Sequence, residues 1–156
     1  RPRPGGPLAR TTQTSTQAGI NAANSLINAG YPAIAGPASS GVNVPVSQND
    51  FITNKVVGCS PSSTALSVSF LEDDDFIFRT APSDLLQGQV MAQVAAKNLG
   101  ASTTSTMYVN NDYGQQLSKQ YTETFTGEHG GTVWEKVGFQ KEQSSYTSVI
   151  QESLSE

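Results

Sequence analysis

Cysteine, histidine and tryptophan each occur once in this sequence, and charged side chains make up only 14% of it. A single thiol, Cys59, cannot close an internal disulfide, so no covalent staple is available and the redox compartment stays open. At the end of the apolar run Val56-Val-Gly-Cys59 it is expected to be a buried structural thiol. The lone His129 lies in Glu128-His-Gly-Gly131 and reads as a loop residue, not a general base. Neither G-x-S-x-G, G-x-G-x-x-G nor a P-loop occurs, which argues against an α/β-hydrolase, a Rossmann oxidoreductase and a P-loop NTPase. No apolar run approaches the ~18 residues of a membrane-spanning helix, and the first residues lack the apolar core of a signal peptide. Nine basic residues, scattered among thirteen acidic ones, give a net charge of −4 and no patch for nucleic acid. The one dense acidic run, Glu72–Asp75, lacks the alternating ligand spacing of a calcium loop and is expected to be a solvated turn. No metal or cofactor is expected.

What is present is uncharged polarity, largely Ser, Thr, Asn and Gln, around 36% apolar residues in a chain of 156. That length suits one domain or two small lobes. Residues 1–15, with three prolines, read as irregular. Thr16 is expected to cap a helix to about Ala29, stopped by Gly30. Ala33–Ala35 is a strand; a second helix starts near Ser39 or Ser40, and Pro45 should keep it short or make it start late. Lys55–Cys59 and Phe76–Thr80 are strands. Asp84 with Gln87 reads as a capping box opening a helix whose apolar face is Leu86, Val90, Met91 and Val94. Thr104–Val109 is a strand, and Asp112 with Gln115 reads as another capping box. Leu117, Tyr121 and Phe125 mark the next helix, Thr132–Val137 a strand, and a last helix begins near Ser144. Trp134 and most tyrosines are expected in or beside the core. Strands alternating with helices at this spacing predict an α/β fold of three-layer, doubly wound parallel sheets.

Ligands of such sheets bind beyond the carboxyl ends of the strands. That rule selects three turns, Gly36–Gly41, Ser60–Ala65 and Asn110–Gly114, all of small or hydroxyl-bearing residues except Tyr113. Backbone N–H groups, hydroxyls and a helix start at one place suit a carboxylate or phosphate. Good turn chemistry alone would produce the same residues, so the pattern is a candidate and no more.

Four segments then take on meaning together: Gly36-Pro-Ala-Ser-Ser40, Ser60-Pro-Ser-Ser-Thr-Ala65, Phe76-Ile-Phe-Arg-Thr-Ala-Pro-Ser-Asp-Leu-Leu-Gln-Gly88 and Tyr108-Val-Asn-Asn-Asp-Tyr-Gly114. In this order and spacing the chain resembles the type I periplasmic binding proteins of ABC importers, in particular the leucine/isoleucine/valine-binding group. The resemblance implies a chain truncated at both ends, with residues 1–82 a partial N-terminal lobe lacking its first strands and 83–156 a partial second lobe. It implies capture of a small zwitterion or carboxylate, branched-chain amino acids by default, between two lobes. Ser39, Ser40, Ser62, Ser63, Thr64 and Tyr113 are the implied ligand-binding residues. Ser40 would donate to the carboxylate, the Ser62 carbonyl would accept from the ammonium, Thr64 would serve either, and Tyr113 would cover the ligand. ABC permease subunits are the implied partners. A periplasmic or extracellular location is also implied, with lipid anchoring of the full-length parent left open. The chemistry is binding, not catalysis. A sensing domain of a receptor or regulator, or a non-binding fragment, fits the same residues.

Overall fold

A computed structural model describes residues 8–155; the expectations for Arg1–Pro7 and Glu156 lie outside the described residues. The chain separates into two compact units, one ending at Pro82 and the next beginning at Ser83.

In the first unit, residues 8–14 are irregular and Ser15 caps α1 (Thr16–Asn28), its hydroxyl accepting from Ala18 N at 3.4 Å. The cap is therefore Ser15, one residue before the expected Thr16. β1 (Ala33–Ala35) leads to α2 (Ser40–Val46), which passes through a π-helical turn at Ser47–Phe51 into α3 (Ile52–Asn54). β2 (Val57–Ser60) precedes a 3-10 turn at Leu66–Phe70, and β3 (Ile77–Arg79) closes a parallel sheet in the order β1-β2-β3. Asp73 makes the acidic run a structured turn, since Oδ2 accepts from Ile77 N at 2.9 Å.

α2 is short, as expected of a helix that holds Pro45, yet the proline sits inside it and not in its first turn. Proline has no N–H, so the carbonyl of Gly41, four residues earlier, loses its helical partner. The Thr16 hydroxyl donates to that carbonyl at 3.0 Å, so a side chain of α1 replaces the missing bond. The two helices can come this close because Gly19 has no side chain: a Cβ there would lie 2.3 Å from Val42 Cγ1. Around this contact Ala23, Val42, Val44, Val46, Phe51, Val56, Val68 and Ile77 form the core. Asp50 is buried beside it, with Oδ1 accepting from Asn24 Nδ2 at 3.0 Å and Oδ2 without a partner. Burial raises the pKa of this carboxyl above its ordinary value, and the Asn24 bond opposes that rise. Cys59 is free and half-buried, more accessible than expected.

In the second unit, α4 (Asp84–Gln93) continues through a π-helical turn at Val94–Asn98; β4 (Thr103–Val109), α5 (Asp112–Gly127), β5 (Thr132–Phe139) and α6 (Thr147–Leu154) follow. β4 and β5 pair in parallel, with a register shift between Thr104 and Thr106. Both expected capping boxes move back one residue. Ser83 caps α4 through Leu85 N, and Asn111 caps α5 through Gly114 N. Gln115 bonds the Asn110 side chain instead of closing a box.

The apolar face expected to bury α4 is also corrected. Leu86, Val90, Met91 and Val94 are exposed, while Gly88, Ala92 and Ala95 are buried. Small residues win this contact because a Cβ on residue 88 would stand 2.6 Å from Gln120 Cγ, so α4 meets α5 at a separation that longer side chains forbid. Tyr121 and Phe125 stack at 5.5 Å to form the core with Ala92 and Ala95. Trp134, expected near the core, is 48% exposed on β5.

Candidate functional site

Five of the six site residues expected from sequence lie on two neighbouring turns at the carboxyl ends of β1 and β2. Gly36 begins the first turn at φ +121°, a backbone conformation open to glycine, and the Gly36–Pro37 peptide is cis. Ser39 is the half-buried N-cap residue of α2, and its hydroxyl makes no capping bond. The register Ala35↔Cys59 brings the second turn, Pro61–Ala65, alongside the first.

Hydroxyls stitch the turns together. Ser60 Oγ donates to Pro37 O and accepts from Ser63 N at 3.0 Å. Ser62 Oγ donates to Ala38 O at 2.9 Å, and Ser63 Oγ reaches the same carbonyl at 3.2 Å. Ser60 and Ser63 are buried, so these bonds form where water competes little and their loss would leave polar groups unsatisfied. The exposed Ser62 hydroxyl and the buried Ser63 hydroxyl are thus committed to backbone.

Ser40 differs. It is 3% exposed, and its oxygen accepts two backbone N–H bonds, from Thr64 at 3.1 Å and Ala65 at 3.2 Å. An oxygen occupied in this way still has its own proton to give. Among the described residues that proton has no acceptor. Thr64 beside it is half-buried, and its carbonyl accepts from Arg79.

Tyr113, the sixth expected residue, belongs to the second unit, on the first turn of α5. Its ring is 39% exposed. Gly114 makes the turn beneath it feasible: a Cβ there would lie 2.2 Å from the Val109 carbonyl oxygen. An apolar groove of about 760 Å³ adjoins Tyr113, lined by Val90, Met91, Met107, Leu117 and Phe139 among others.

Two residues of the first turn cluster were not expected as site residues, Ser60 and Arg79. Both stand at the last position of a strand, β2 and β3 respectively. Ser60 lay within a selected turn without being singled out, and the rule would have reached Arg79 had it been applied to the side chain that ends β3 as well as to loops. No cluster of His, Cys, Asp and Glu able to hold a metal occurs among the described residues, and no described helix is long and apolar enough to cross a membrane.

Comparison with known proteins gives this geometry a context. The family model described as "Periplasmic binding protein" matches residues 8–155. A Leu/Ile/Val-binding protein homologue of Brucella melitensis is 31% identical over 106 residues, which are 66% of this chain and 27% of that protein. The crystal structure of a leucine-binding protein from Thermotoga maritima superposes with a TM-score of 0.80 at 28% identity, covering 90% of this chain and 39% of the other. An ABC transporter substrate-binding protein from Desulfitobacterium hafniense shares the fold, with a TM-score of 0.65 at 20% identity over 92% of this chain and 41% of that one. The chain therefore spans between about a quarter and two fifths of these relatives' lengths.

Proposed function

The chain belongs to the periplasmic binding protein family, and from that premise we propose that it is part of the ligand-binding component of an ABC-type amino-acid importer. The ligand we favour is a small zwitterion, a branched-chain amino acid above all, whose carboxylate lies against the turns after β1 and β2. Ser40 carries the reading. Its buried hydroxyl is held by two N–H groups and has a proton to donate with no acceptor among the described residues. A carboxylate satisfies that proton without any counter-charge, as a buried anion requires.

The remaining roles follow as proposals. Ser39 offers a second hydroxyl at the same helix start, and Thr64 offers the hydroxyl of the facing turn. Ser62 serves through its carbonyl, which suits it, since its hydroxyl is engaged with Ala38. Ser63 supports the turn from beneath. Tyr113 contributes an exposed aromatic ring from the second unit. On this reading residues 1–82 and 83–156 are parts of two lobes, the partners are permease subunits, the setting is the periplasm or cell exterior, and no reaction is catalysed.

Thermal unfolding against leucine, isoleucine and valine tests the proposal. A ligand at a hundred times its dissociation constant adds about 2.7 kcal/mol and raises the midpoint. In Ser40→Ala that gain should shrink, because a hydrogen bond to a charged group contributes about 1.5–3 kcal/mol. An unchanged affinity in Ser40→Ala would remove Ser40 from the site.

A further inference from the structure

Arg79 ends β3 and turns its guanidinium back over the second turn. Nη1 donates to Thr64 O at 3.2 Å and to Ala65 O at 2.8 Å, and Nη2 donates to the Ser69 hydroxyl. No ion pair joins Arg79 to a carboxylate among the described residues. A half-buried cation is thus spent on carbonyl oxygens.

The peptide joining Thr64 to Ala65 gives this arrangement a direction. Its carbonyl accepts from Arg79, and its N–H donates to Ser40 Oγ at 3.2 Å. One peptide unit therefore links the guanidinium to the hydroxyl. Hydrogen bonds in such a chain polarise one another: drawing charge toward the carbonyl makes the N–H a better donor, and a stronger bond to Oγ makes the Ser40 O–H a better donor in turn. The Ala65 carbonyl bond holds the same loop from its other side. We propose that Arg79 is a positioning residue for the carboxylate subsite, acting through the Thr64–Ala65 peptide to orient and polarise the Ser40 hydroxyl and so to favour anionic over neutral ligands. This rests on the reading of Ser40 as the carboxylate donor.

Two variants separate charge from architecture. Arg79→Gln keeps one donor for a carbonyl and loses the charge; Arg79→Lys keeps the charge and loses the planar fork. Both lose part of the loop's support, so their melting points should fall by comparable amounts. Calorimetric titration with leucine and with leucinamide, which lacks the carboxylate, reads the effect. Arg79→Gln should weaken leucine about tenfold, the order expected when a charged partner's contribution is lost, and leave leucinamide within about twofold. Arg79→Lys should recover part of the leucine preference, and high salt should narrow the difference between Lys and Gln. Equal losses for both ligands would make Arg79 purely architectural and overturn the proposal, as would unchanged leucine affinity in Arg79→Gln. Failure of the unmodified chain to bind leucine would instead overturn the carboxylate site itself, and Arg79's part in it.

Discussion

Ser40 and Ser63 are both small, buried hydroxyls on neighbouring turns, yet their hydrogen bonds point in opposite senses. Ser63 donates to backbone carbonyls, whereas Ser40 accepts two backbone N–H groups and keeps its proton. Sequence could nominate both but could not tell them apart, because the distinction depends on which backbone atoms the opposite turn supplies. Arg79 escaped notice for a related reason: its partners are carbonyls, which every residue has, so no side-chain motif announces them. Asp50 presents a residue-scale cost of another kind. Its folded pKa is raised, so the folded state holds more protons between the ordinary carboxylate value and the raised one. The stability linked to Asp50 is therefore complete below the ordinary range and is lost as pH rises through the folded value. Asp50→Asn removes the charge while keeping an oxygen for Asn24. It should gain about 1 kcal/mol over the unmodified chain at neutral pH, and that advantage should vanish in acid. Urea midpoints for both proteins across a pH series measure this; a difference independent of pH would mean Asp50 is not charged where it is buried.

Strand positions were largely legible, since each short apolar run ended in small or turn-forming residues; β1 at Ala33–Ala35 lies where it was expected. Helix faces were less so. The α4 sequence offers a broad aliphatic stripe and a narrow one of Gly88, Ala92 and Ala95, and hydrophobicity favours the wrong one. Close approach to Gln120 and Tyr121 on α5, a property of the partner element, decides it. Pro45 shows the same dependence, because a helix-breaking residue is accommodated by Thr16 from another helix. A double-mutant cycle tests that account. Thr16→Val alone should cost about 1 kcal/mol by stranding the Gly41 carbonyl. In a Pro45→Ala background, where residue 45 regains its N–H, the same change should cost much less. Equal costs in both backgrounds would show that Thr16 does not substitute for the missing helical bond.

Across the molecule, the parallel sheets and the distribution of exposed apolar surface fit a chain that spans part of its relatives' length. Among the described residues β1 pairs with β2 on one side only; Ala33 and Ala35 are exposed, and a groove of about 570 Å³ runs beside them, lined by Leu26 and Tyr31 among others. In the second unit Leu86, Val90, Met91 and Met107 are likewise exposed. Open strand edges and apolar faces invite association, so ligand measurements belong at low protein concentration. The turns after β1 and β2 nonetheless lie wholly within the first unit, so the carboxylate site proposed for them can be tested there. The decisive measurement is a ¹⁵N NMR titration of this chain with leucine. The account predicts saturable shifts concentrated at the amides of Ser39–Gly41 and Ser62–Ala65, with the saturation midpoint moved to at least about tenfold higher leucine in Ser40→Ala. Shifts confined to the groove around Met91 and Met107, or none at saturating leucine, would contradict it.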